Sequence, residues 1–409
     1  MIARLIRFAF PVLVIALPLG IYHILGKFAD QSQLTLARRH PWTIRSQRDV
    51  DPRIVSDEQL YGVLHRLRPP VGSSNTNVLL HALRLWGPLA KFDDDRVPTG
   101  EWLRRYFLDD AVFRERVGNT ALPLYRIDTE TGQVRVREWS SADPDRKSSS
   151  YHLNDILATL AETGVPLDTP LRTRDGDTTV EQLLRTAMGQ FHFRQHEFDW
   201  SAISYLRYVY PESGWSNDYG EVITVKGVVS ELLEKRNYLT YGPCNGLHRL
   251  EAMVVLCGAA EKQETPDNLS GRRTQKEWCD QMLLPHMNHV VDLLEASQHV
   301  DGYWTRSWAD DDATKSPASA PLFDRMLVTG HHLEWMALSP PEINIPNEMV
   351  VRAAQWVVRA IQDCDNESIL RNYGPFSHAV RALCLWRAKV PYQAWREYKE
   401  RLEIPVDPA

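Results

Sequence analysis

YGPCNGLHRL, residues 241–250, and NYGPFSHAVRAL, residues 372–383, share one opening, and this recurrence indicates a repeated structural unit. The first copy carries Cys244 and His248 behind a Gly-Pro turn. The second copy has Phe376 in the place of the cysteine and keeps a histidine, His378. Because one copy lacks the thiol, the shared pattern indicates architecture used twice, and chemistry is expected only where the copies converge.

Amphipathic helices in pairs fill the chain beyond about residue 55, separated by breaks rich in glycine and proline. Two of the spacings between second helices, Trp200 to His248 and His332 to His378, are 48 and 46 residues, which suits a helical hairpin. This self-similarity predicts stacked helix pairs, either an open solenoid or a closed ring. The second helices share an apolar body and an early histidine or tryptophan: His81, His152, Trp200, His248, His332 and His378.

A closed ring is favoured over an open solenoid, because six apolar second helices can bury one another around a common axis. The sequence therefore predicts an all-α fold, an α/α toroid of about six helix hairpins. Only the segment QVRVREW, residues 133–139, alternates like a strand, and we expect it in an inserted hairpin. In such a ring the N-termini of the inner helices converge at one mouth, where the early histidines collect.

The N-terminal stretch from Phe8 to Gly26 is uncharged and follows Arg4 and Arg7. It predicts an uncleaved transmembrane helix, with a cleaved signal peptide as the alternative. The predicted organisation is a membrane anchor at 1–28, a linker at 29–55, the toroid domain at 56–400 and a C-terminal tail at 401–409. Since a short basic head usually stays inside, we expect a single-pass membrane protein whose bulk lies outside the cytoplasm.

Composition argues against two classes of protein. The net charge is −6 and the pI is near 6.2, with lysine and arginine scattered, so nucleic acid is not expected as a partner. The five cysteines are odd in number and include no CxxC pair. A disulfide framework and a zinc knuckle are therefore not indicated.

The heptapeptide QHVDGYW, residues 298–304, resembles the Q-x-x-x-G-x-W motif of the terpenoid-cyclase and protein-prenyltransferase-like α/α toroids. The resemblance implies a structural motif in which Gln298, Gly302 and Trp304 tie neighbouring hairpins together. It covers about residues 60–400 in architecture but this one motif in sequence. The chain thus resembles the superfamily in a feature of its fold.

No catalytic motif of that superfamily is matched. The acidic motif of the class II triterpene cyclases has its nearest counterpart in WADDDATK, which places Ala309 before three aspartates. The prenyltransferase zinc motif requires an aspartate two positions before the cysteine, and Gly242 stands there before Cys244. The Gly-Cys-Gly-Glu-Gln motif of the thioester proteins that share this ring is absent as well. The resemblance therefore implies no particular activity.

Polar residues at the starts of the inner helices are the candidate catalytic groups: His248, His332, Glu334 and His378. A histidine supported by a carboxylate can act as a general base or a metal ligand, and His248 has Glu251 at the i, i+3 spacing. The alternative is that these histidines cap helices or satisfy buried carbonyls. A metal would need three or four of Cys244, His248, His332 and His378 around one ion, which spacing does not establish, so no metal is assigned.

Binding residues are expected around the same mouth: Cys244, Glu197, Asp199, Trp200, Tyr241 and Tyr373. Glu197 or Asp199 could pair with Glu334 as the two carboxylates of glycoside chemistry. Asp199 is equally a good N-cap for the helix that follows it.

Two functions remain open at this stage. One is an enzyme that acts on a glycan or an isoprenoid-like substrate by general acid–base chemistry. The other is a non-catalytic ligand-binding or scaffold protein on the same ring, as the missing motifs would suggest. The expected partners are thus the membrane, through the N-terminal helix, and a small molecule or glycan. No cofactor is assigned.

Overall fold

The computed structural model describes residues 37–46, 48–141, 145–210, 213–261, 277, 279–310 and 319–403. The protein is mostly helical over these residues, which confirms the prediction of an all-α class. The helices of the described ranges are α1 (Asp57–Arg66), α2 (Thr76–Trp86), α3 (Gly100–Leu108), α4 (Asp110–Val117), α5 (Asp155–Glu162), α6 (Val180–Gln190), α7 (Asp199–Tyr208), α8 (Val225–Glu234), α9 (Leu247–Glu261), α10 (Leu284–Ser297), α11 (Leu322–Leu338), α12 (Asn347–Asp363), α13 (Asn366–Arg371), α14 (Tyr373–Trp386) and α15 (Pro391–Glu403).

Short antiparallel hairpins interrupt the helices. The segment predicted to alternate contributes β2 (Val134–Val136), which pairs with β1 (Tyr125–Ile127). Two further hairpins join β3 (Pro170–Thr173) to β4 (Gly176–Thr179) and β5 (Gly214–Ser216) to β6 (Val222–Thr224). The sequence did not predict these two, because strands of three or four residues are too short to show alternation.

Side-chain caps begin several of the helices. At α1, Ser56 Oγ accepts from the backbone N–H of Gln59, and the Gln59 side chain accepts from the Ser56 N–H, which is a capping box. Such caps satisfy N–H groups that have no partner inside the helix. Side-chain caps are also made by Asn75, Thr99, Asp109, Thr179, Thr224 and Asp365.

Six helices contact one another in a closed order. Going round, α2 packs on α5, α5 on α7, α7 on α9, α9 on α11, α11 on α14, and α14 again on α2. Three further helices flank this set: α12 contacts α11, α8 contacts α7 and α9, and α6 contacts α5. Every residue of α7 is buried, as is every residue of α11 from Met326 to Leu338. Helices without a solvent-facing side are expected only where neighbours enclose them.

Gly330 of α11 lies where two of the six helices, α11 and α14, come close together. A Cβ atom there would come within 2.9 Å of the backbone nitrogen of Ala379 in α14. A glycine at this position therefore lets the two backbones approach each other. Gly330 lies in the middle of α11, as do His332 and Glu334, which the sequence analysis placed at the start of a helix.

The Gln298–Trp304 segment links two helices, α10 and α12. Gln298 ends α10, and its Nε2 donates to the carbonyl oxygens of Gly302 and Met349, each at 2.9 Å. Trp304 Nε1 donates back to Leu294 O of α10 at 2.8 Å. Since Met349 belongs to α12, these bonds hold the loop against both flanking helices, as the resemblance implied for a structural motif. Gly302 has a φ of 109°, in the region that favours glycine.

The predicted anchor, residues 1–28, lies outside the described residues. Within the described ranges, no helix has the length and apolar character needed to cross a membrane. Much of the segment predicted as a linker packs against the helices: Trp42 N donates to Arg207 O at 2.9 Å, and Arg48 Nη2 donates to Ser339 Oγ at 2.6 Å. Ile54 and Val55 are fully buried.

Candidate functional site

A cavity of about 350 Å³ lies where the six helices meet. Each of the six contributes at least one side chain to its wall. These include His81 of α2, Asp155 of α5, Trp200 of α7, His248 of α9, His331 of α11 and His378 of α14. The expectation that polar residues from separate repeats would gather at one place is therefore met for this group of side chains.

A strained turn presents Cys244 to this cavity. Cys244 and Asn245 have φ values of 48° and 61°, and the flanking Gly242 and Gly246 have φ values of 115° and 73°. Non-glycine residues in this left-handed region cost about 1–2 kcal/mol each. Gly246 cannot carry a side chain here, because a Cβ atom would lie 2.3 Å from Leu239 O. The turn ends immediately before α9, so the Cys244 thiol lies near the positive end of that helix.

Cys244, His248 and His331 form the group best suited to hold a metal ion. One ligand atom from each, the thiol sulfur and two ring nitrogens, lies within 4.8 Å of the other two. His248 Nε2 and His331 Nε2 are 3.2 Å apart. Two nitrogens bound to a tetrahedral zinc ion at about 2.0–2.1 Å would be about 3.3 Å apart, so the observed separation fits.

The orientation of His331 is fixed by its other nitrogen. His331 Nδ1 donates to the carbonyl oxygen of Leu327 at 2.8 Å, which leaves Nε2 as the nitrogen that faces the group. Metal-binding histidines usually donate their second ring N–H in this way. His248 Nδ1 is buried and has no hydrogen-bond partner among the described residues.

The surroundings of Cys244 favour its thiolate form. Burial alone would raise the pKa of the thiol, but the charge of His248 and hydrogen bonds from His152, His248 and His331 hold it well below the usual value. Burial alone would likewise lower the pKa of His331, which the hydrogen bond and charge of Cys244 raise above the ordinary value. A thiolate with imidazole nitrogens is a donor set that zinc favours.

His152 and Glu197 form a pair beside Cys244. His152 Nδ1 donates to Glu197 Oε1 at 2.9 Å, and Glu197 Oε2 accepts from the Leu153 N–H at 2.6 Å. Burial would lower the pKa of His152, but its contacts with Cys244 and Glu197 raise it to about 11. His152 therefore approaches the thiol from outside the three-residue group.

A buried ionic cluster lies next to the cavity wall, centred on Arg84. Arg84 forms ion pairs with Glu162, with Glu251 at 2.6 Å and with Glu334 at 3.1 Å. All four side chains are 4 % exposed or less. Such a cluster closes the space between helices with paired charges, because an unpaired charge at this depth would be costly.

The carboxyl groups of the cluster are not equivalent. Burial would raise the pKa of Glu334, but Arg84, Arg381 and His378 hold it well below its usual range. Burial raises the pKa of Glu251 to about 8 against the pull of Arg84, and the neighbouring carboxylates Glu162 and Glu334 add to the rise. The pKa values of Glu251 and Glu334 are thus shifted in opposite directions within one cluster.

Five of the predicted residues line the cavity: Cys244, His248, His378, Trp200 and Tyr373. Five others, all in the described part of the chain, do not line it: His332, Glu334, Glu197, Asp199 and Tyr241. The predicted pairing of Glu197 or Asp199 with Glu334 is thus not formed at the cavity surface.

Each residue outside the cavity has a clear location. His332 is fully buried, and its Nδ1 accepts from Trp335 Nε1 at 2.9 Å. Asp199 begins α7 without capping it and lies 3.4 Å from Arg249 Nε. Tyr241 is 72 % exposed.

Three histidines of the cavity wall were absent from the predicted site: His81, His152 and His331. His331 is adjacent to the predicted His332, so the choice depended on the rotation of α11. Leu327 and His331 are four residues apart and share a helix face, and both line the cavity. His81 and His152 carried the same early-histidine signal as His248 and His378.

The site can be compared with known proteins by its sequence and by its fold. No family model, no curated protein and no solved structure matches the chain.

Proposed function

We propose that the chain is a metal-dependent hydrolase built on an α/α toroid, with its active site at the cavity where the inner helices meet. The ring architecture is supported by the closed order of contacts from α2 round to α14. The Gln298–Trp304 segment, which resembles the motif of the terpenoid-cyclase-like toroids, supports it further through its bonds to α10 and α12.

The single observation that carries the function is the Cys244, His248 and His331 group in the cavity wall. Three protein ligands with access to a cavity are typical of catalytic zinc sites, whereas structural sites use four. A zinc ion in this position would supply Lewis-acid catalysis of hydrolysis. The protein residues hold the ion, exclude bulk water through the surrounding helices and bind the substrate in the cavity.

General acid–base chemistry by a carboxylate pair has less support. Glu334 is 1 % exposed, forms ion pairs with Arg84 and Arg381, and accepts a hydrogen bond from His378 Nδ1 at 2.6 Å. Both carboxylate oxygens of Glu197 already accept hydrogen bonds, one from His152 and one from the Leu153 N–H. We therefore assign the catalytic role to the Cys-His-His group and not to a pair of carboxylates.

Metal analysis of the purified full chain tests this function. We expect about one zinc ion per chain, and a loss of at least tenfold in zinc affinity for Cys244→Ser, His248→Ala and His331→Ala. Cys364→Ser is the matched control, because Cys364 is a free, partly exposed cysteine outside the cavity. A wild-type chain that neither contains zinc nor binds added zinc would overturn the proposal.

A second candidate is covalent catalysis by Cys244. The observation in its favour is the order Cys244, His152, Glu197, in which a carboxylate orients a histidine that contacts a thiolate. Treatment of the chelator-washed full chain with iodoacetamide separates the two candidates. Selective alkylation of Cys244 in a chain that binds no zinc favours the nucleophile, whereas protection of Cys244 by added zinc favours the metal site.

The non-catalytic alternative, a ligand-binding or scaffold protein, makes a different prediction. A scaffold would retain its ligand after the Cys244→Ser change, because neither a thiolate nor a metal would take part. Ligand binding that is unchanged in that variant, with no zinc in the wild type, supports this alternative.

A further inference from the structure

Two exposed aromatic rings extend the wall of the cavity outward. Tyr151 lines the cavity and is 45 % exposed, and Trp139 beside it is 39 % exposed. Their ring centroids are 5.5 Å apart and their planes are tilted by 37°. Together they form an aromatic surface at the edge of the cavity, which we call the aromatic rim. Adjacent exposed rings at a cavity are a feature of binding surfaces.

Backbone hydrogen bonds hold the aromatic rim in place. Trp139 N donates to Ser150 O at 2.5 Å, and Ser150 N donates to Arg137 O at 2.8 Å. These bonds join the segment after β2 to the residue immediately before Tyr151. The rings are therefore positioned by the backbone without being buried, which leaves their faces free to contact a ligand.

Two side chains of α2, Asn77 and His81, bring hydrogen-bond acceptors to the cavity wall. His81 Nδ1 donates to Asn77 O at 2.7 Å, so Nε2 of the neutral ring is an acceptor. Asn77 Oδ1 is buried and has no partner among the described residues. Asn77 and His81 are four residues apart, share one face of α2 and line the cavity. A ligand with hydroxyl or N–H groups would satisfy these atoms.

The charges around the cavity do not select an anion. Arg306, which lines it, lies 2.8 Å from Asp324, and Arg371 lies 2.6 Å from Glu367. Both guanidinium groups are thus already paired with carboxylates. The other cations of the described wall are paired as well, Arg84 with three glutamates and His152 with Glu197. Beside these paired charges the wall presents aromatic faces and neutral polar acceptors, which suits an uncharged ligand rich in hydroxyl groups.

We propose that the aromatic rim and the Asn77–His81 face bind a neutral sugar ring, so that the substrate class of the hydrolase is a glycan or glycoconjugate. This inference rests on the proposed function, since it names the substrate of the same cavity. The apolar C–H face of the sugar packs on Tyr151 and Trp139. Its hydroxyl groups donate to Asn77 and His81 of α2.

Calorimetric titration of the zinc-loaded full chain tests the inference, with cellotriose and chitotriose as neutral probes and trigalacturonate as the anionic probe. We expect at least one neutral probe to bind, and Tyr151→Ala to weaken that binding tenfold or more. Asn77→Ala should weaken it severalfold. Tyr219→Ala is the matched control, because Tyr219 is an exposed tyrosine, 63 % exposed, that does not line the cavity. It should leave the affinity unchanged.

Three results would overturn the sugar site: neither neutral probe binds, binding is unchanged in Tyr151→Ala, or trigalacturonate binds more tightly than both neutral probes. Zinc content is measured on the same samples. A chain with zinc but without sugar binding contradicts this inference alone, whereas a chain without zinc contradicts the proposed function. Circular dichroism of each variant identifies a loss that comes from misfolding.

Discussion

Cys244 is positioned by a turn that contains two glycines of positive φ, Gly242 and Gly246. At Gly246 the neighbouring backbone leaves no room for a side chain. Gly246→Ala would place a Cβ atom 2.3 Å from Leu239 O at a φ of 73°. We expect this variant to lose at least tenfold in zinc affinity and to melt at a lower temperature, since the turn must move.

Gly72→Ala is the control for the Gly246 variant, because its φ of 74° is nearly the same but its Cβ atom would meet no atom within 4 Å. It should cost about 1–2 kcal/mol from the left-handed backbone alone and should leave zinc binding intact. Thermal melting and zinc titration measure both quantities. Equal zinc affinity in the two variants would contradict the role assigned to the Cys244 turn.

Glu251 should make stability depend on pH in a direction opposite to that of most carboxyl groups. Its pKa of about 8 in the folded protein lies above the value of about 4.3 in an unfolded chain, so the folded state binds the extra proton between these values. The stabilisation is present below the unfolded pKa and is lost as pH rises towards 8. We therefore expect Glu251→Gln, which keeps an acceptor for Arg84 without the ionisation, to reduce the loss of stability between pH 5 and pH 9.

Urea unfolding of the wild type and of Glu251→Gln at pH 5, 7 and 9 measures this effect. Glu181→Gln is a control on an exposed glutamate that pairs with Arg185. A wild type and a Glu251→Gln variant with the same slope of stability against pH would contradict the assignment.

Among the helices, α10 and α12 are joined by the side chain of Gln298, which ends α10 and donates to Met349 O of α12. Gln298→Ala would leave the carbonyl oxygens of Gly302 and Met349 without this donor in a buried place. We expect a loss of about 2–6 kcal/mol in the free energy of unfolding, at about 1–3 kcal/mol for each of the two unsatisfied buried groups. Gln393→Ala, on the exposed side of α15, should stay within about 0.5 kcal/mol. Equal urea midpoints for the two variants would show that the motif does not tie the helices.

The existence and order of the helices could be predicted because apolar residues recur at helical spacing and capping residues stand before several of them. The rotation of α11 could not. Its residues from Met326 to Leu338 are buried on all sides, so its pattern has no polar face that would distinguish His331 from His332. The sequence of a helix that is enclosed by neighbours does not show which of its faces points to the cavity. For that reason the site prediction named His332 where the structure has His331.

At the scale of the whole molecule, the sequence predicted that early histidines would converge, and His81, His152, His248 and His378 do line one cavity. The Arg84 cluster could not be predicted. Glu162, Glu251 and Glu334 lie on three helices far apart in the chain, and only the closed packing of α5, α9 and α11 with α2 brings them to one arginine. The membrane anchor at residues 1–28 stays a prediction.

Zinc K-edge X-ray absorption of the purified full chain tests the metal centre most directly. With Cys244, His248 and His331 as ligands, the spectrum should show one sulfur at about 2.3 Å and two imidazole nitrogens at about 2.0–2.1 Å, together with one further light atom. The sulfur contribution should vanish in Cys244→Ser. A zinc ion surrounded by nitrogen and oxygen alone in the wild type, or a chain that binds no zinc, would contradict a zinc site formed by Cys244, His248 and His331.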